Sequence, residues 1–152
     1  MAIAERTASV VWDGTLAHGN GTLESGSGAL AQLPVTWAAR TEAPEGKTSP
    51  EELIAGAHAT CFTMALALIL GEDGTPPQRI ATDARCTLDE VDGAPRITQV
   101  TLTVRGCVEG IDEARFHDAV ERAGALCPVS NAFRGNVEIV VKESFEPAVA
   151  AV

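Results

Sequence analysis

The chain has 152 residues, 45% of them hydrophobic, with 11 Lys and Arg against 21 Asp and Glu and a formal charge of -10. That length suits one domain, spanning residues 1–152, whose core needs no disulfide staples. The negative field repels phosphate backbones and anionic lipid, which excludes nucleic acid as a partner class.

The opening MAIAERTASVVW lacks the unbroken apolar run of a secretory peptide, which predicts the cytoplasm. From Thr7 to Trp12 the residues alternate, with Ala8, Val10 and Trp12 on one face and Ser9 and Val11 on the other, the pattern of a strand. Asp13-Gly14 and Asn20-Gly21 read as hairpin turns, and Gly26 to Gly28 breaks the chain again. The segment up to Arg40 is thus predicted as a meander of short antiparallel strands ending in LPVTWAAR. TEAPEGKTS then reads as a loop.

A long helix follows. Ser49 is its predicted N-cap, Pro50 suits the first helical position, and Glu51 and Glu52 complement the positive end of the dipole. The apolar run carries the helix to Gly71. Residues 53–70 approach the length of a membrane span, but His58, Thr60 and Thr63 interrupt them and Glu51, Glu52, Glu72 and Asp73 flank them. With no Lys/Arg cluster beside it, the segment reads as the buried helix of a soluble domain, with no membrane partner.

Residues 79–91 alternate with Ile80, Ala84, Cys86 and Leu88 on the apolar face, and Asp92-Gly93 turns into a second strand whose Val100, Leu102, Val104 and Val108 face inward. In IDEARFHDAVERAGAL, Ile111, Ala114, Phe116, Ala119, Val120, Ala123 and Leu126 form a helical stripe that stops at Cys127, before Pro128. A final strand, NVEIVVKESF, precedes a loose tail over 146–152. This order predicts an α+β fold with antiparallel sheets, a long buried central helix and a second, amphipathic helix. One sheet covers one side of the long helix, so a second subunit is expected to cover the other.

The four cysteines, Cys61, Cys86, Cys107 and Cys127, contain no CxxC pair, which argues against a zinc ribbon or a thioredoxin-like motif. Cys86 sits on an apolar face as a small hydrophobe, and Cys107 shares a polar face with Arg105, Thr103 and Thr101. Cys61 shares its helix face with His58, and a buried polar side chain needs a partner. Cys127 stands at the N-terminal end of PVSNAF, where a helical turn would favour thiolate. Two other readings stay open: a zinc site using His58, Cys61 and Cys127, and a redox-inert protein whose cysteines only fill the core.

The stretches TSPEELIAGAHATCFTMAL and GIDEARFHDAVERAGALCPVSNAF together resemble the OsmC/Ohr family of thiol-dependent hydroperoxide reductases, nearer its OsmC branch. The resemblance covers essentially the whole chain, with Thr41 and Ser49 departing from the usual aromatic and asparagine. It implies an intertwined α+β homodimer with active sites at the interface, in which Cys61 is the peroxidatic thiolate and Cys127 the resolving thiol. Arg40 and Glu51 are implied as the polar partners that activate the site. The implied reductant is a dithiol, dihydrolipoamide or a lipoylated protein, and no cofactor is implied; no GxGxxG opens a helix after a strand. Ten residues of straight helix rise about 15 Å. One Arg40 therefore reaches both Glu51 and Cys61 only if the helix starts late or the partners come from different chains.

Overall fold

A computed structural model describes residues 1–147. The chain divides into two compact units, Met1–Leu53 and Ile54 onward. In the first, strands β1 (Ala8–Asp13), β2 (Asn20–Ser25) and β3 (Leu33–Val35) form an antiparallel sheet in that order. Asn20-Gly21 is not a turn: Asp13 pairs with Asn20 and Trp12 with Gly21, so the connection is the longer segment from Gly14 to Gly19. The signal misleads because Gly21 is needed for space. A Cβ there would stand 2.7 Å from Val35 and 2.8 Å from Trp12.

The second departure is LPVTWAAR, which is a strand only over Leu33–Val35. Trp37–Thr41 forms a short helix, α1, capped by the Thr36 hydroxyl, which accepts from the Ala39 N–H at 3.1 Å. A Thr N-cap before three good helix formers outweighs the alternation.

Helix α2 (Pro50–Glu72) starts where predicted, with the Ser49 hydroxyl accepting from the Glu52 N–H at 3.2 Å and Pro50 in the first turn. Its length and composition are those of a helix able to cross a membrane. In the Ile54-onward unit, however, its Phe62, Leu66, Ile69 and Leu70 are buried among Val100, Leu102 and Val104 of β5 and Phe116, Val120 and Ala123 of α3. Met64 and Leu68 are left 67% and 52% exposed, an uncovered apolar stripe on the opposite side.

Strands β4 (Arg79–Val91) and β5 (Ala94–Val108) form the predicted antiparallel hairpin, and Asp92 and Gly93 at its turn both have positive φ, 52° and 74°. Helices α3 (Glu113–Leu126) and α4 (Pro128–Phe133) then lead into β6 (Glu138–Pro147). Here the expectation of purely antiparallel sheets is corrected, because β6 pairs with β5 in parallel. The physical reason is the crossover: a chain that leaves β5 through helices returns beside it in the same direction. Strand β6 extends to Pro147, into the predicted tail, and the rest of that tail lies outside the described residues. The α+β class stands.

Candidate active site

Cys61 lies on α2 one turn after His58, half-buried against the core. Cys127 is fully buried between α3 and α4, where α3 stops because Pro128 follows. Its backbone caps both helices: its N–H donates to the Ala123 carbonyl at 2.8 Å, and its carbonyl accepts from Asn131 N–H at 3.0 Å. Its sulfur also accepts from the Ser130 N–H at 3.5 Å. The sulfur therefore sits at the N-terminal end of a real helical turn, as PVSNAF predicted.

The fold brings Cys61 and Cys127 together. Burial, the largest influence, pushes the Cys61 thiol above its ordinary value, the Val129 backbone N–H pulls it down, and the adjacent Cys127 thiol adds to the rise. Cys61 and Cys127 are neighbouring, unbonded thiols, the pair of groups that disulfide chemistry needs.

His58 is buried at the same place. Its Nε2 lies 2.8 Å from the Ser130 hydroxyl and its ring meets Phe133 edge-on with centroids 5.5 Å apart. The Nδ1 atom is buried without a hydrogen-bond partner among the described residues, and burial lowers the pKa so that the neutral ring is favoured. Ser130 and the Val129 N–H went unnoticed in the sequence; the available signal was a serine three residues after a candidate N-cap, the spacing at which a cap meets the helix N–H groups.

Arg40 and Glu51 also meet, in the Met1–Leu53 unit. Arg40 Nε donates to both Glu51 carboxylate oxygens, at 3.1 and 3.2 Å, and Nη2 donates to Oε1 at 2.7 Å. Glu51 is buried, and the guanidinium lies 5.8 Å over the Trp37 ring, so its plane is held on two sides. Beside it opens an apolar cavity of about 230 Å³ lined by Val10, Trp12, Leu23, Val35, Trp37 and Leu53. Because α2 already begins at Pro50, a late helix start is not what separates Glu51 from Cys61.

The remaining candidates separate from this chemistry. Cys86 packs against the core, and the Cys107 thiol donates to Gln78 Oε1 at 3.2 Å. Among the described residues no three His, Cys, Asp or Glu side chains are grouped to hold a metal, and His58 turns its Nε2 to Ser130. The zinc reading finds no ligand set here.

Comparison with known proteins points one way. The family model of OsmC-like proteins matches residues 43–142. The peroxiredoxin OsmC of Escherichia coli K12 is 42% identical over 128 residues, covering 84% of this chain and 89% of the relative. The organic hydroperoxide resistance protein OhrA of Bacillus subtilis is 30% identical over 104 residues, 68% of this chain and 72% of the relative. Among solved structures, the organic hydroperoxide resistance protein OhrB of Bacillus subtilis superposes with a TM-score of 0.72 at 30% identity, covering 91% of this chain and 98% of that one. With the dithiol of Cys61 and Cys127 inside the matched segment, the chain belongs to the OsmC-like protein family.

Proposed function

We propose that this protein is a cysteine-based peroxidase that reduces organic hydroperoxides, and hydrogen peroxide, through Cys61 and Cys127. The reading is supported by the neighbouring, unbonded thiols of Cys61 and Cys127. In the first step the Cys61 thiolate attacks one peroxide oxygen: the O–O bond breaks, an S–O bond forms, and the alcohol leaves with a proton. In the second, the Cys127 sulfur displaces that oxygen as water, giving the Cys61–Cys127 disulfide and shielding Cys61 from further oxidation. A dithiol, dihydrolipoamide or a lipoylated protein, then exchanges with the disulfide and restores both thiols.

Arg40 supplies positive charge that favours the thiolate and stabilises the departing oxygen, and Glu51 holds the guanidinium in a fixed fork. The apolar cavity beside Arg40 suits the carbon chain of an organic hydroperoxide. Since ten residues of helix rise about 15 Å, the Arg40–Glu51 pair serving each Cys61 comes from the partner chain of a homodimer. The exposed Met64 and Leu68 stripe is the surface that a partner would cover. Each 152-residue chain acts as one domain of that dimer, in the cytoplasm, where reduced dithiols are at hand.

The test is turnover of cumene hydroperoxide with dihydrolipoamide, thioredoxin or glutathione as reductant, with mass spectrometry of the thiols. Fast turnover with dihydrolipoamide and a Cys61–Cys127 disulfide in its absence is the expected result. Fast turnover on glutathione alone would overturn the choice of reductant, and an undiminished mass of free thiols after peroxide would overturn the enzyme.

A further inference from the structure

We propose that His58 and Ser130 are positioning residues for the second half of the reaction: the buried His58–Ser130 hydrogen bond pins helix α4 to helix α2 and thereby holds the Cys127 sulfur at Cys61. The inference rests on the peroxidase reading above. It starts from a buried polar side chain that the reaction does not use. His58 is completely buried, yet among the described residues only Nε2 is satisfied, so the ring is kept in an apolar site at the cost of an orphaned Nδ1.

The arrangement that keeps it there leads straight to the resolving thiol. His58 stands one turn before Cys61 on the same helix, its Nε2 reaches Ser130 Oγ at 2.8 Å, and the Ser130 N–H in turn donates to Cys127 Sγ. Phe133, at the far end of α4, rests on the same imidazole. One side chain of α2 therefore contacts the first turn and the last residue of the six-residue helix that Cys127 caps. Helix α4 is too short to hold its own geometry by backbone hydrogen bonds. Without the tether its first turn, and the sulfur that caps it, gain freedom to leave Cys61. Closing the disulfide needs sulfur aligned on sulfur, so the loss falls on resolution and leaves attack on peroxide alone.

The experiment follows single turnovers of the full-length protein by stopped-flow fluorescence and quenched mass spectrometry. In wild type, Ser130→Ala and His58→Phe, it records the rate of Cys61 oxidation and the rate of disulfide closure separately. The expected result is unchanged Cys61 oxidation with closure about tenfold slower in both variants, the scale of one lost buried hydrogen bond, and more Cys61 sulfinic acid at high peroxide. His58→Gln, which restores a donor and acceptor, is expected to recover part of the closure rate. Normal closure in Ser130→Ala, or oxidation and closure slowed alike, would overturn the positioning role while leaving the peroxidase intact. Failure of the wild type to form the Cys61–Cys127 disulfide would overturn both.

Discussion

The strands of the two sheets have a similar apolar share and end up very differently. In the β4–β5–β6 sheet Val100, Leu102 and Val104 are completely buried under α2 and α3, whereas in β1 Val10 and Val11 stand 54% and 66% exposed. The difference teaches where the chain is self-sufficient. Cys61 and Cys127 both lie against that full core, within one chain. Arg40 of α1 and Glu51 in the first turn of α2 belong to the unit of the thinly covered sheet and hold each other by charge-assisted hydrogen bonds.

The sharpest way to break this contrast is to remove the sulfurs. Cys61→Ser is expected to reduce peroxide consumption to background, while Cys127→Ser completes one turnover and then accumulates oxidised Cys61; thiol mass spectrometry after a peroxide pulse reads both. Full turnover in either variant would show that the cored unit does not carry the chemistry.

Stability comes next. Leu102→Ala is expected to cost about 2–5 kcal/mol in urea unfolding, as deletions from a full core do. Val10→Ala in an isolated chain is expected to stay within about 0.5 kcal/mol, as exposed substitutions do. A loss at Val10 comparable to that at Leu102, falling with dilution, would mean that a second copy covers the β1 sheet in solution.

Arg40→Ala tests what the thinly covered unit contributes. Burial by itself pushes the Cys61 thiol upward. If Arg40 counters this in the assembled protein, the variant is alkylated at Cys61 only at higher pH, and peroxide reduction at neutral pH slows by roughly tenfold or more, one pKa unit being tenfold. An alkylation profile identical to wild type would detach Arg40 from Cys61.

The smallest effects concern the histidines and have opposite signs. Burial holds the His58 pKa below 6.5, so the unfolded chain takes up the proton first. Its neutral form stabilises the fold above 6.5, and that contribution is lost as the pH falls through 6.5 and below. Glu143, 2.7 Å from His117, raises the His117 pKa above 6.5, so that pair contributes fully below 6.5 and is lost as the pH rises through the folded value. Urea midpoints across pH for His58→Phe and His117→Ala should lose the acid-side and alkaline-side slopes respectively, the second being slight because the pair is exposed.

By itself the sequence determined those features whose causes are local. Ser49 and Pro50 start α2, Pro128 ends α3 at Cys127, and Asp92-Gly93 makes the hairpin, because caps, proline geometry and positive φ act over a few residues. The two cysteine motifs also sufficed to name the family. Other features depended on who the neighbours are. Asn20-Gly21 joined a strand because Trp12 and Val35 needed the space of a missing Cβ, and LPVTWAAR folded back into a helix at Thr36. Strand β6 lies parallel because the chain between it and β5 is helical. Tertiary structure alone put Ser130 between His58 and Cys127, since a hydrogen bond across 72 residues of sequence exists only once two helices pack. It also turned burial against the Cys61 thiol, because desolvation belongs to the packed core and not to any residue type.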